Sequence, residues 1–217
     1  MANVNSERCR LCLVTPPDDD ATAAALRVAD GLSGGDVASL IVTVGRDDPR
    51  ALQEMAEAVV PIAQARGVAA LIHNDIRVAK RARADGVHVD SGPADLEAAL
   101  ATFHPGGIVG VGGVATRHAA VTAGELQPDY VFFGRLDGDT EDGIFPKALD
   151  LAEWWSAVTV VPAVVMGGRA IASVRQAAAA GIAFVALAHA VWDDPRGPAL
   201  AVAEANAHLA AAEEPVT

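Results

Sequence analysis

The chain has 217 residues, and its 28 acidic against 16 basic side chains give a formal net charge of −12. This balance excludes a generic nucleic-acid binder, because such a protein needs a basic surface to displace counterions. Hydrophobic residues make up 52% of the chain, which argues against disorder. The longest uncharged apolar stretch, residues 177–192, is interrupted by Gly181 and His189 and is too short to span a membrane.

The first ten residues are polar and carry no apolar signal core, so we expect a cytoplasmic location. Cys9 and Cys12 have the spacing of a redox or metal-binding pair. They lie where the first strand is predicted to begin, however, and strand alternation points positions three apart to opposite faces. We therefore expect two unrelated thiols rather than a functional pair.

Eight short apolar runs recur along the chain, with helical segments between them. The runs are residues 10–14, 37–44, 69–73, 86–89, 108–111, 130–133, 160–166 and 184–188. They are uniformly apolar, as in parallel strands that are covered on both faces. The pattern predicts an α/β fold, a single-domain (β/α)₈ TIM barrel over residues 1–217, with residues 1–9 and 212–217 as flexible tails. A doubly wound open sheet is the alternative.

Helix start and stop signals fill the gaps between the predicted strands. Asp48 and Pro49 supply a cap and a first-turn proline, and Gly67 ends the helix that they begin. Thr116 is the expected cap of a helix over residues 117–127. Further helices are expected over residues 94–103 and 171–180, and residues 76–83 leave room for about two turns.

Polar residues follow the predicted strands, where the carboxyl ends of a barrel bind ligands. These residues are Thr15, Arg46, Asn74, Asp75, Asp90, Gly112, Arg135, Gly167, Gly168 and His189. Two glycines between a strand and a helix allow backbone N–H groups to approach an anion closely, and Arg169 adds positive charge there. We therefore expect a phosphate site, with an ordinary strand-to-helix turn as the alternative. His189 is either a phosphate donor or a rim histidine bonded to backbone.

Asn74 and Asp75 pair an amide with a carboxylate, which suits Mg²⁺ held partly by a substrate phosphate. Asp90, after the next predicted strand, is the second candidate metal ligand. The alternative for Asn74 and Asp75 is a turn that caps a helix. Residues 134–143 hold four carboxylates, and we expect a mobile, solvated lid there rather than a calcium loop. His73 and His88 lie inside strand runs and are expected to be satisfied core or rim histidines.

Six runs occur in the order and spacing of a known family: LVT (13–15), LIHND (71–75), ADGVH (84–88), DYVFFG (129–134), VVMGG (164–168) and FVAL (184–187). They resemble thiamine phosphate synthases and the related thiazole tautomerases. The resemblance implies a (β/α)₈ barrel and an enzyme of thiamine biosynthesis. Such a synthase joins a pyrimidine pyrophosphate to a thiazole phosphate and expels pyrophosphate with the help of Mg²⁺.

The same resemblance assigns site residues. Asn74 and Asp75 match the segment that holds pyrophosphate and Mg²⁺. Gly167, Gly168, Ala188 and His189 match the thiazole-phosphate cradle.

The chain departs from the family pattern where positive charge is expected. The Gln-X-Arg-X-Lys run after the second strand is replaced by IVTVGR (41–46), and the second metal aspartate aligns near Gly92. The Thr/Lys-rich loop after the sixth strand has become acidic. Arg46, Arg135 and Lys147 are the candidates to replace the missing charge. We expect a synthase with reduced activity.

Two other functions stay open. A tautomerase-like enzyme would use His118 as its acid/base, and a non-catalytic barrel would only bind a phosphorylated ligand. The expected partner is in every case a phosphorylated small molecule, with neither nucleic acid nor a membrane. A homodimer is left open.

Overall fold

The computed structural model describes residues 8–16, 20–45 and 48–212, and eight strands alternate with helices along them. The strands are β1 (Arg10–Val14), β2 (Ser39–Val42), β3 (Ala69–His73), β4 (Gly86–Val89), β5 (Ile108–Val111), β6 (Tyr130–Phe133), β7 (Ala163–Met166) and β8 (Phe184–Leu187). The helices are α1 (Ala21–Gly31), α2 (Pro49–Gln64), α3 (Ile76–Ala82), α4 (Pro93–Phe103), α5 (Arg117–Glu125), α6 (Pro146–Val158), α7 (Val174–Ala179), α8 (His189–Trp192) and α9 (Pro198–Ala211).

All eight strands are parallel and form one closed barrel in sequence order. The barrel closes where β1 pairs with β8, with Leu13 opposite Leu187. The predicted (β/α)₈ fold is therefore confirmed, and the open sheet is excluded. In such a barrel the carboxyl ends of all eight strands point to one face, which brings the loops that follow them together.

Aspartates and prolines start several of the helices as the sequence predicts. Asp20, Asp48 and Asp75 each accept two backbone hydrogen bonds at the starts of α1, α2 and α3. Thr116 caps α5 through its hydroxyl. The helix expected over residues 171–180 is instead a 3₁₀ turn (Ile171–Ser173) followed by α7, because the Ser173 N–H bonds the carbonyl three residues back.

Three strands are shorter than predicted, and β8 ends at Leu187, one residue before its predicted end. The run at 160–166 contributes only Ala163–Met166 to β7, and Val160 before it is 99% exposed. Pro162 has no N–H for the sheet, although its carbonyl accepts a hydrogen bond from Val131 of β6. The run at 37–44 likewise contributes only Ser39–Val42 to β2. Apolar composition alone therefore overestimates the length of these strands.

Apolar side chains of the strands and of the surrounding helices form one core. At its closing seam, the indole N–H of Trp192 donates a 2.6 Å hydrogen bond to the carbonyl of Val14. Cys9 and Cys12 are buried and are not joined to each other. Burial raises the pKa of Cys12 to about 11, so its thiol stays protonated at neutral pH.

The predicted tails, residues 1–9 and 212–217, lie mostly outside the described part of the chain. Of their described residues, Arg8 and Ala212 are exposed, whereas Cys9 is buried. Within the described part, the structure holds no helix long and apolar enough to cross a bilayer.

Candidate active site

Two adjoining cavities open at the carboxyl ends of the strands. The first, of about 380 Å³, reaches from Thr15 and His73 across the barrel mouth to Arg135 and His189. The second, of about 490 Å³, extends outward over Asn74 and Asp75. Both are lined by Thr43, Val44, Gly45 and His73. Together they form a rim pocket, as we call it below, with room for a small-molecule substrate.

His73 lies at the centre of a polar network in the rim pocket. Its Nδ1 is 3.2 Å from the hydroxyl of Thr43, and its Nε2 is 3.0 Å from Oδ1 of Asp90. The amide of Asn74 donates to the same Asp90 oxygen at 2.6 Å, and Asn74 Oδ1 accepts from the Asp90 N–H at 2.9 Å. The His73 and Asn74 hydrogen bonds hold the pKa of Asp90 well below its usual range.

Asp75 has a structural role as well as a position in the rim pocket. Its Oδ1 accepts hydrogen bonds from the N–H groups of Arg77 and Val78, which caps α3. Oδ2 of Asp75 and Oδ2 of Asp90 accept no hydrogen bond from the described residues. The described residues contain no group of three or more His, Cys, Asp or Glu side chains placed to hold a metal.

His88 is the buried counterpart of His73. It is 1% exposed, and its Nδ1 lies 2.9 Å from the Tyr130 hydroxyl. Burial lowers the pKa of His88 to about 3 and raises that of Tyr130 well above its usual value. Both groups are therefore neutral at physiological pH, which agrees with the expected satisfied core histidine.

Other parts of the chain pack against Gly167 and Gly168, where the sequence predicts a phosphate site. The N–H of Gly167 bonds the carbonyl of Ala186, and the N–H of Gly168 donates 3.0 Å to the Ser173 hydroxyl. A Cβ atom on Gly168 would overlap the carbonyls of Asp142 and Gly143. The double glycine thus allows a loop to pack closely, and its N–H groups do not face open space.

The loop that packs there joins β6 to α6, and we call it the β6–α6 loop (residues 134–145). Its Glu141 and Asp142 carbonyls accept hydrogen bonds from the N–H groups of Arg169 and Ala170 at 2.7 and 3.2 Å. Its Asp139 is 1% exposed, and Oδ2 of Asp139 accepts a 2.7 Å hydrogen bond from the His189 N–H. The expectation of a solvated lid is therefore wrong for Asp139, since its carboxylate is buried against the start of α8.

Charged side chains surround this contact. Asp193 lies 3.0 Å from His189 Nδ1 and 3.2 Å from the Arg169 guanidinium. Arg135 donates two hydrogen bonds to the exposed Asp137 in the β6–α6 loop. These bonds raise the pKa of Arg135 above its usual value. Of the residues expected to bind phosphate, Arg135, Ala188 and His189 line the rim pocket.

Three other candidates have different outcomes. His118 lies exposed on the first turn of α5, and the described walls of the rim pocket leave it out. Lys147 lines a neighbouring cavity of about 520 Å³ that also includes Arg135. Arg46 lies outside the described residues.

Sequence reasoning missed the contributions of His73, Thr43 and Asp139. His73 directly precedes Asn74, so its position at the end of a strand was a signal that it reaches the rim. Thr43 comes directly after the last residue of β2 and therefore also lies at the rim. No comparable signal distinguishes Asp139 from the other carboxylates of its loop, because its partner His189 is 50 residues away.

Comparisons with known proteins agree with this geometry. A family model described as "Thiamine monophosphate synthase" matches residues 11–191. A thiamine-phosphate synthase of Hyphomonas neptunium is 37% identical, covering 92% of this chain and 93% of the relative. A thiamine-phosphate synthase of Rhodospirillum centenum is 35% identical, and the match covers 91% of this chain and 96% of the relative.

Among solved structures, thiamine phosphate pyrophosphorylase from Pyrococcus furiosus superimposes with a TM-score of 0.78 and is 20% identical in sequence. The superposition covers 94% of this chain and 97% of the other. This structural likeness supports the barrel fold. The extent and level of the sequence matches show that the chain belongs to the thiamine monophosphate synthase family.

Proposed function

We propose that this protein is a thiamine-phosphate synthase, which joins a pyrimidine pyrophosphate to a thiazole phosphate and releases pyrophosphate. The observation that carries the proposal is the 37% identity to a thiamine-phosphate synthase over 92% of the chain. The rim pocket supports it, since its two adjoining cavities together reach from Asp75 to His189. A tautomerase with His118 as its acid/base is not favoured, because His118 lies exposed on α5.

The two sides of the rim pocket offer different chemistry. On the β3–β4 side, Asn74, Asp75 and Asp90 are assigned to the pyrophosphate. On the β7–β8 side, Ala188, His189 and Arg135 line the rim pocket and are assigned to the thiazole phosphate, together with Gly167 and Gly168, which the β6–α6 loop covers. His73 separates the two substrates and, when protonated, adds positive charge beside the pyrophosphate. Thr43 and Asp90 fix its ring orientation through both nitrogens.

The donor set suits Mg²⁺ rather than a softer metal. Two carboxylates and an amide are hard oxygen ligands, and Oδ2 of Asp75 and of Asp90 are free of hydrogen bonds from described residues. Mg²⁺ commonly takes one or two carboxylates and completes its shell with water and substrate phosphates. We therefore assign Asp75 and Asp90 to Mg²⁺, which would supply positive charge to the departing pyrophosphate.

The balance of charge at the rim supports a slow enzyme. Pyrophosphate departure concentrates negative charge, which positive side chains must stabilise. The rim carries Asp75, Asp90 and Asp137, whereas Arg135 is already paired with Asp137. Arg46 is the further cation proposed to contact pyrophosphate.

A conservative pair of variants tests the function. In Asp75→Asn the amide oxygen can still cap α3, while the metal-binding charge is lost. We expect at least a tenfold loss of pyrophosphate release with both substrates and saturating Mg²⁺. Asp20→Asn makes the same change at the cap of α1, where Asp20 bonds two N–H groups, and should keep full turnover. If the wild-type protein binds both substrates but releases no pyrophosphate, the binding-only barrel is favoured instead.

The proposed partners are thus small phosphorylated molecules. We also propose a cytoplasmic location, which is supported by the lack of a disulfide between the buried Cys9 and Cys12, as reducing compartments favour.

A further inference from the structure

The buried carboxylate of Asp139 stands where the proposed function places the phosphate of the thiazole substrate. The His189 N–H that would bind a phosphate oxygen donates instead to Oδ2 of Asp139 at 2.7 Å. The other oxygen, Oδ1, is buried without a hydrogen-bond partner among the described residues. A buried carboxylate with one unsatisfied oxygen destabilises the loop position that holds it, because that oxygen has lost its hydrogen bonds to water.

The surroundings of Asp139 show why a negative group lies there. Burial raises the pKa of Asp139, whereas the His189 N–H, the His189 side chain and Arg169 favour its ionised form. Arg169 and His189 are themselves joined through Asp193. The pocket thus offers an acidic group one backbone N–H donor and two basic side chains, and in this structure a side chain of the protein itself takes that position.

Backbone contacts hold the loop in the same place. The carbonyls of Glu141 and Asp142 bond the N–H groups of Arg169 and Ala170, directly after the double glycine. Gly168 lets the loop approach to a distance that no side chain would allow. The loop thus covers the turn after β7 while Asp139 fills the turn after β8, and a substrate phosphate has to displace both.

We propose that Asp139 is a specificity-determining residue that occupies the phosphate position, so that a phosphorylated substrate binds only when the β6–α6 loop leaves its contacts with residues 168–170 and 189. This inference rests on the proposed function for the identity of the phosphate site. Asp139 and a phosphate therefore cannot occupy this position at the same time. Removing the carboxylate therefore increases the affinity for phosphate.

Affinity for inorganic phosphate tests this directly, because it requires no turnover. In Asp139→Asn the amide oxygen can still accept from the His189 N–H, but the competing charge is gone. We expect its dissociation constant for phosphate, measured by calorimetry, to be at least about tenfold lower than that of the wild type. Glu141→Gln makes the same charge change at an exposed side chain of the same loop and should leave the constant unchanged. Equal affinities for Asp139→Asn and Glu141→Gln would overturn the proposal.

Hydrogen exchange of the wild-type protein gives a second test that does not depend on the folding of a variant. Saturating phosphate should accelerate exchange of the Arg169 and Ala170 amides, because their loop acceptors leave. The His189 amide should stay protected, because phosphate replaces Asp139 as its acceptor. Bound phosphate without faster exchange at residues 169 and 170 would refute the proposal. Failure of thiamine phosphate synthesis with both phosphate results as expected would instead refute the proposed function.

Discussion

Asp90 Oδ1 lies 3.0 Å from His73 Nε2, which joins the ends of β3 and β4 at the rim pocket. Asn74 reinforces the pair by donating to the same oxygen and accepting from the Asp90 N–H. The three residues therefore form one rigid unit, and its electrostatics have consequences for stability as well as for ligand binding.

Replacing Asp90 by Asn should destabilise the protein by about 1 kcal/mol at pH 7, since charged hydrogen bonds are lost at a partly exposed site. The pKa of Asp90 is lower in the folded state than in the unfolded chain. Its contribution is therefore complete above about pH 4, the unfolded value, and is lost as the pH falls below it.

Urea denaturation across this pH range checks the Asp90 prediction. The difference between wild type and Asp90→Asn should shrink as the pH falls below about 4. Asp150→Asn, at an exposed carboxylate on α6, serves as the control and should show little difference at any pH. A difference that stays constant with pH would contradict the assignment of the effect to ionised Asp90.

His88 should make the protein less stable in mild acid. Its pKa is lowered to about 3 in the fold, so the unfolded chain takes up a proton near pH 6.5 that the folded protein does not. Its share of the unfolding free energy therefore falls by up to about 1.4 kcal/mol per pH unit from about pH 6.5 towards pH 3.

Comparison of two histidine variants isolates this effect. Unfolding free energies of His88→Gln, measured between pH 7 and 5, should decline less steeply than those of the wild type. His118→Gln removes an exposed histidine on α5 and should retain the wild-type slope. Parallel curves for all three proteins would show that His88 does not remain neutral in the fold.

Gly168→Ala should displace the β6–α6 loop, because its methyl group would overlap the carbonyls of Asp142 and Gly143. We expect a loss of about 2 kcal/mol in the free energy of unfolding, typical of forced overpacking. Limited proteolysis should cut residues 137–143 faster than in the wild type. Gly106→Ala is the matched control, since a Cβ there meets no neighbouring atom within 4 Å. Unchanged stability and cleavage would mean that the loop is not held against Gly168.

Thiamine phosphate synthesis should be slow compared with a synthase that keeps the lysine-containing phosphate contacts. Each missing contact that costs about 1.4 kcal/mol of transition-state stabilisation lowers the rate about tenfold. Pyrophosphate release by the two enzymes, side by side with both substrates and saturating Mg²⁺, measures the difference. Comparable turnover would show that Arg46, Arg135 or Lys147 restores the missing charge.

Most of the barrel could be predicted because uniformly apolar runs separated by helix signals are typical of buried parallel strands. Five of the eight strands begin and end where the sequence places them, including β3 and β6. One of the errors occurs where an apolar residue is exposed, at Val160. Hydrophobicity does not distinguish such a residue from the strand that follows it.

The site was only partly predictable for a different reason. Asn74, Asp75 and Asp90 follow strands directly, so the fold alone brings them together. The contact between Asp139 and His189 depends on the path of the β6–α6 loop, which four similar carboxylates do not determine. The double glycine at 167–168 directly follows β7, but the atoms around it depend on the path of the same loop.

The seam between β1 and β8 has a consequence for the order of events during protein synthesis. Leu13 pairs with Leu187, and Trp192 bonds Val14, so the barrel cannot close until the chain has been made as far as β8 and Trp192. Until then β1 and β7 present unpaired edges, which are prone to pair with other chains. Such late contacts also slow folding, since distant segments must meet first. The nascent chain can therefore associate wrongly through the edge of β1 until β8 has been made and has paired with it.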